Sequence, residues 1–259
     1  MAPLRIAILE CDTPVDKINR KYDGYYGVFS SLLRASAKAL DRPDRLDPDS
    51  GLEITRWDVV TAQVYPNLKD VDALLLTGSK HNSFDSDPWI LKLVEYTKSA
   101  LQDNCIKILG ICFGHQIIGR ALGVKVGRSD AGWEIAVCDM DLTDQGKKLF
   151  GRDKLVKTDA QSPRIQQMHQ DIVFEYPPGV IALGSSPRCA VQGMYLPGRF
   201  VTVQGHPEFT EEIVTEVVTL RGKAGVFSKE QTEDALERAK NEHDGVAIGA
   251  TFLNFLLEE

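Results

Sequence analysis

Residues 106–122 read IKILGICFGHQIIGRAL, and the turn at their centre decides the fold. Ile106 to Leu109 is a short, mostly apolar run that suits a buried strand. A helical pattern runs on to Leu122, and between the two lies Gly110-Ile111-Cys112-Phe113-Gly114. A strand that passes into a helix through Gly-x-nucleophile-x-Gly makes a sharp elbow. Glycine suits both flanks because a Cβ there would collide with neighbouring backbone. Such an elbow presents its side chain at the carboxyl end of a sheet, where open α/β folds bind ligands. The helix N-terminus behind it favours a thiolate.

Working outward, the same alternation repeats. Leu4 to Leu9 reads as a strand, and Gly24 to Leu40 has helical spacing with Val28, Leu32, Leu33 and Ala37 on one side. Asp41 to Gly51, polar with two prolines, reads as a surface loop. Leu52–Val60 and Val71–Leu76 read as strands, and Pro88 opens a helix that runs to about Gln102. Near-continuous apolar strands alternating with helices predict a mostly parallel central sheet with helices on both faces. Beyond Val124 the pattern changes to short β-like runs: Trp133–Cys138, Lys154–Lys157, Val180–Leu183, Ala190–Tyr195 and Phe200–Val203. These predict a small antiparallel extension. Helical patterns return at Glu211–Arg221, Lys229–Asn241 and Val246–Leu257. No repeat, low-complexity segment or linker divides the chain, so one α/β domain over residues 1–259 is expected.

Bulk properties narrow the function. The 259 residues are 43% hydrophobic, enough for a sizeable core, and carry a formal charge of −7. An acidic chain without Lys/Arg clusters is a poor match for nucleic acid or an anionic membrane surface. No apolar stretch approaches the roughly 20 residues of a membrane helix. The opening residues, with Arg5 and Glu10 around a short apolar run, do not read as a signal peptide, and a cytoplasmic location is expected. The five cysteines, Cys11, Cys105, Cys112, Cys138 and Cys189, show no Cys-x-x-Cys spacing. Neither a disulfide framework nor a zinc site is implied, so no metal is expected.

A nucleophilic thiol needs a base, and the base needs an orienting group. Of the five histidines, His206 stands out, because it follows the apolar run Phe200–Val203 in the string VQGHPE. Pro207 favours an extended His206. Continued extension would point residues 206 and 208 to the same side, bringing Glu208 to one imidazole nitrogen and leaving the other for Cys112.

GICFGHQ at 110–116 and GHPE at 205–208 together resemble the two signatures of the class I, triad-type glutamine amidotransferases. The glutaminase part of GMP synthetase and the small subunit of carbamoyl phosphate synthetase are familiar members. The resemblance implies a flavodoxin-like fold, with Cys112 as nucleophile, His206 as base and acid, and Glu208 as its orienter. It also implies an oxyanion hole at Gly78, in the string LLLTGS, and at the Phe113 N–H. Gln116 and His169 would bind the glutamyl group; His169 serves equally well as a structural histidine. Met168 and Gln170 depart from the family's string there. The implied reaction is hydrolysis of glutamine to glutamate and ammonia through a glutamyl thioester, with no cofactor.

The segment from Thr77 to Trp89 resembles the free-standing, GMP-synthetase-like branch, some of whose plant members are γ-glutamyl peptidases acting on glutathione conjugates. Lys80, His81 and Asp85 fit either substrate contacts or a solvated loop, and Trp133 fits either the site or the core. No Walker loop, Gly-x-Gly-x-x-Gly or Ser-Gly-Gly-x-Asp string is present. Ammonia would therefore pass to a separate synthetase chain, or the protein would cleave γ-glutamyl bonds outright. A catalytically silent binding subunit is the third reading, and the presence of all three triad residue types argues against it.

Overall fold

The computed structural model describes residues 2–151 and 163–258. Strand β1 (Leu4–Glu10) leads through α1 (Asp16–Tyr22) and α2 (Gly24–Leu40) to β2 (Leu52–Asp58) and β3 (Ala73–Leu76). Then come α3 (Pro88–Gln102), β4 (Lys107–Ile111) and α4 (Phe113–Ala121). The middle of the chain is β5 (Val126–Arg128), β6 (Glu134–Asp139), β7 (Asp141–Leu142), α5 (Asp144–Leu149), β8 (Arg164–His169) and β9 (Asp171–Val173). It closes with β10 (Ile181–Ser186), β11 (Cys189–Leu196), β12 (Phe200–Val203), α6 (Glu211–Lys223), α7 (Lys229–Arg238) and α8 (Gly245–Leu257).

Among the described residues, eight strands form one sheet in the order β2-β1-β3-β4-β12-β11-β10-β7. The first five are parallel, and the last three join antiparallel. The expected α/β architecture and its antiparallel extension are both present. Side chains alternate across the parallel strands, and each face has its own core. Ile6, Ile8, Leu75, Leu109 and Val203 pack with Phe29 of α2 and Phe252 of α8. Ala7, Leu9, Leu74 and Ile108 pack with Ile90 of α3 and Ile117 of α4. Because both faces are covered, these strands read as unbroken apolar runs rather than alternating ones.

Two small ribbons stand apart from the main sheet, β5 with β9 and β6 with β8. A third apolar cluster, including Met168, Phe209, Ile213 and Val214, packs α6 against the β6–β8 ribbon. Sequence patterning gives no signal for α1, whose seven residues bury only Ile18. It also misses α5, with Gly146 alone buried. The expected strand at Lys154–Lys157 lies outside the described residues. No helix among the described residues is long and apolar enough to cross a membrane.

Candidate active site

Strand β4 ends at Ile111 and α4 begins at Phe113, so Cys112 alone makes the turn between them. Its backbone stands at φ 50° and ψ −101°, a conformation that L-residues rarely adopt. The Cys112 N–H donates to the Val203 carbonyl at 3.0 Å, tying the turn to the end of β12. A Cβ on Gly110 would lie 2.7 Å from Ile118 Cδ1, and one on Gly114 would fall on the Leu76 carbonyl oxygen. The Gly-x-Cys-x-Gly spacing is thus dictated by how closely β4, α4 and β3 approach.

The adjacent strand delivers the histidine. Strands β4 and β12 are parallel neighbours with Ile111 opposite Val203, so Cys112 and the segment leading to His206 emerge at the same edge of the sheet. Beyond β12 the chain pairs once with β8, where the His206 N–H donates to the Gln166 carbonyl at 2.7 Å. It then turns, with the Phe209 N–H reaching the His206 carbonyl at 3.3 Å. The continued extension expected from Pro207 does not occur. The turn instead brings Glu208 Oε1 to 2.7 Å from His206 Nδ1. The Phe209 ring lies flat on the imidazole, with centroids 4.0 Å apart and planes 8° apart.

Cys112 and Glu208 both act on the His206 ring. Burial pushes His206 down, but the charges of Glu208 and Cys112 and the hydrogen bond to Glu208 outweigh it and push the imidazole up to about 10. A protonated ring between two acids is the consequence. Burial is the main influence on two of the other thiols, and Cys11 and Cys189 are pushed up to about 12.

Gly78 sits against this cluster, where a Cβ would lie 2.7 Å from His206 Cε1 and 3.7 Å from Cys112 Cβ. Its loop is pinned. The Thr77 N–H donates to Leu9 at 3.2 Å, the Cys11 N–H to Thr77 Oγ1 at 2.9 Å, and the Gly114 N–H to the Thr77 carbonyl at 3.2 Å. Phe113 opens α4, and its N–H is among the four that a helix leaves without an internal acceptor.

Gln116 and His169 are arranged differently. Gln116 Oε1 accepts from Ser83 Oγ at 2.9 Å, and its Nε2 donates to the Asp171 carbonyl at 2.8 Å and to Gln204 Oε1 at 3.2 Å. His169 lies with Nε2 3.0 Å from Glu134 Oε2 and Nδ1 3.2 Å from the Asp171 carbonyl. The Glu134 carboxylate also accepts from Gln192 at 2.8 Å. Both residues belong to a buried polar network behind the elbow.

A cavity of about 390 Å³ opens onto His206, bounded by Ser79, Lys80, Met168, Phe209 and Arg221 among others. Most of its remaining wall is apolar, from Val15 and Ile18 to Ile213 and Val217. Lys80 Nζ pairs with Asp12 at 2.9 Å, and both also border a second, more polar cavity of about 520 Å³ that includes His81. The Asp85 carbonyl instead accepts from Arg120 at 2.7 Å. Trp133 stands edge-on to Phe227 at 5.1 Å. Arg221 and Asp12 were not legible as site residues, since a basic residue in a last helical turn and an acid in a loop are both commonplace.

The fold and this geometry define an α/β protein with a strained cysteine at a strand-to-helix turn beside a buried histidine–glutamate pair. The family model described as glutamine amidotransferase class-I matches residues 47–219, and the chain belongs to that family. A protein of Schizosaccharomyces pombe named only as glutamine amidotransferase-like is 36% identical, covering 98% of each chain. Gamma-glutamyl peptidase 3 of Arabidopsis thaliana is 34% identical over 80% of this chain and 77% of its own. A crystal structure of a glutamine amidotransferase from Thermotoga maritima superposes with a TM-score of 0.74 over the full length of both chains at 17% identity, a likeness of fold.

Proposed function

We propose that the chain, acting as one domain, hydrolyses γ-glutamyl amide bonds with Cys112, His206 and Glu208 as its catalytic triad. One observation carries this reading: the strained Cys112 emerges beside an imidazole whose Nδ1 lies 2.7 Å from Glu208. The Cys112 thiolate attacks the γ-carbonyl carbon, and the carbonyl electron pair moves onto oxygen. In this reading the N–H groups of Gly78 and Phe113 donate to the oxygen on which that charge develops. Protonated His206 gives its proton to the departing amine, the C–N bond breaks, and a glutamyl thioester remains. Neutral His206 then takes a proton from water, whose oxygen bonds to the thioester carbon; the C–S bond breaks, Cys112 leaves as the thiolate and glutamate is released. Glu208 holds the imidazole in one tautomer and balances its charge throughout. In this reading Gln116 and His169 shape the glutamyl site from behind, through the network they share with Asp171.

Glutamine is the donor implied by the family, with ammonia passing to a separate synthetase chain. A second reading, a γ-glutamyl peptide as donor, is favoured by the largely apolar wall of the cavity at His206 and by the peptidase relatives. The test is product analysis of the purified protein and its Cys112→Ala variant with glutamine, glutathione and a glutathione S-conjugate. Glutamate with ammonia from glutamine supports the amidotransferase, and glutamate with a Cys-Gly product supports the peptidase. Cleavage that survives Cys112→Ala sinks the triad.

A further inference from the structure

The cavity at His206 carries a cation that the described residues around it leave without an ion-pair partner. Arg221, in the last turn of α6, lines this cavity together with His206. The placement follows from the chain path. Thr210 caps α6 directly after the Glu208 turn, so the segment that sets the histidine also aims the helix along the cavity wall.

The guanidinium lies over two rings, 5.3 Å from the centre of Trp133 and 5.9 Å from that of Phe227. Rings hold such a plane in place and attract its charge without neutralising it. Nη1 is buried and has no hydrogen-bond partner among the described residues. No carboxylate among those residues forms an ion pair with Arg221. Asp12, across the cavity, is engaged by Lys80 through both Nζ at 2.9 Å and the backbone N–H at 2.8 Å. Burial pulls Arg221 below its usual value, while the negative fields of Tyr25, Cys112 and Asp12 only partly oppose it. A half-buried charge with a buried, unbonded donor is costly, and it persists where a ligand supplies the missing partner.

We propose that Arg221 is a substrate-binding residue that takes a carboxylate of the γ-glutamyl donor. This rests on the γ-glutamyl hydrolase reading and names the group that the cavity recognises. The fork of N–H donors on a guanidinium matches a carboxylate, and a dry, aromatic-backed site strengthens the pairing. Every γ-glutamyl donor carries the glutamyl α-carboxylate, and a peptide donor adds a second at its C-terminus. Both sources fit the same chemistry, and the choice between them is experimental.

The experiment uses the full chain with Arg221→Met, which keeps the stacked hydrocarbon, and Arg221→Lys, which keeps the charge. Steady-state cleavage is measured on the better of glutamine and glutathione. In parallel, binding of glutathione is measured calorimetrically on the Cys112→Ala background, with and without the Arg221 changes. Two further ligands are glutathione amidated at its glycine carboxylate and glutathione amidated at its glutamyl α-carboxylate. Arg221→Met should weaken binding by about tenfold or more, the scale of a charged hydrogen bond, with the kinetic loss falling on KM more than on kcat. Arg221→Lys should recover part of it.

The amide that already binds the parent weakly, and that loses nothing further in Arg221→Met, identifies the carboxylate concerned. Equal binding of all three ligands by the parent and by Arg221→Met overturns the proposal, as does failure of the Cys112→Ala protein to bind any of them. Because binding is read without turnover, absence of cleavage with intact, Arg221-dependent binding would sink the hydrolase reading and leave the carboxylate site standing. A melting curve for each variant separates these outcomes from misfolding.

Discussion

Among the described residues the chain holds two buried histidine–glutamate pairs, and they have opposite surroundings. His206 and Glu208 sit two residues apart in a turn, 2.7 Å from nitrogen to oxygen. His169 and Glu134 face each other across the β6–β8 ladder at 3.0 Å. What separates them is the partner of the second ring nitrogen. For His206 the ring also feels the charge of a thiol, at the edge of a cavity. For His169 the second nitrogen meets the Asp171 carbonyl, and its glutamate is shared with Gln192. In the proposed mechanism the first pair passes a proton on, whereas the second lies within a buried polar network. A buried His–Glu contact therefore says little about chemistry until the far side of the ring is known.

The sharpest way to break this comparison is to make the same isosteric change in both pairs. Glu208→Gln should cost about 10²–10⁴ in kcat, the scale seen when a triad histidine loses its carboxylate. Glu134→Gln should cost less than about tenfold in kcat and should appear instead as roughly 1–3 kcal/mol of stability in urea titrations. Equal losses of rate from the two would erase the distinction.

The pH profile sharpens it further. His206 is pushed up to about 10, so the favourable proton binding of the folded state is fully present below the ordinary value of 6.5 and fades as pH rises towards about 10. In the proposed mechanism acylation needs the protonated ring, so the rate should fall over that alkaline limb. Removing the Glu208 charge should move the limb to lower pH. An alkaline limb that stays in place in Glu208→Gln would mean that the carboxylate does not set the charge of the ring.

A smaller effect is expected at Gly78. A Cβ there presses on His206 Cε1, so Gly78→Ala should displace the imidazole and lower kcat while the melting temperature barely moves. Activity unchanged in Gly78→Ala would show that the loop has room to retreat.

The smallest effect belongs to the closed pair. Burial pushes Glu134 up, yet His169, Ser186 and Arg188 together hold it below its ordinary 4.5. Its contribution to stability is therefore present above that value and is lost as pH falls through the depressed one. The parent should lose more stability than Glu134→Gln on acidification below about 4.5.

How much of this was legible in the sequence varies with how local its cause is. The parallel half was readable because strands buried on both faces leave unbroken apolar runs, as in ALLL of β3. Cys112 was readable because the close approach of β3, β4 and α4 demands glycine on both flanks. The pairing of His206 with Glu208 was legible for the wrong local reason, since a turn rather than strand alternation makes it. Beyond these, the reasons become tertiary. The β6–β8 ribbon is set by pairing between segments well separated in the chain, Glu134 with His169 through Asp139 with Arg164, that share no short motif. Arg221 matters only because a helix carries it to the cavity, which no spacing in the sequence encodes.

The backbone of Cys112 has a further consequence. A side chain held at φ 50° and ψ −101° opposes folding, at a cost on the order of 1–3 kcal/mol. Glycine is the residue that this geometry welcomes, so a copy of the chain with Cys112→Gly should melt at a higher temperature than the parent while doing no chemistry. With Cys112 as the proposed nucleophile, selection for a durable fold and selection for a reactive thiol pull in opposite directions at this one position. A lineage released from the need to react would be expected to lose its cysteine early, and to gain robustness by losing it.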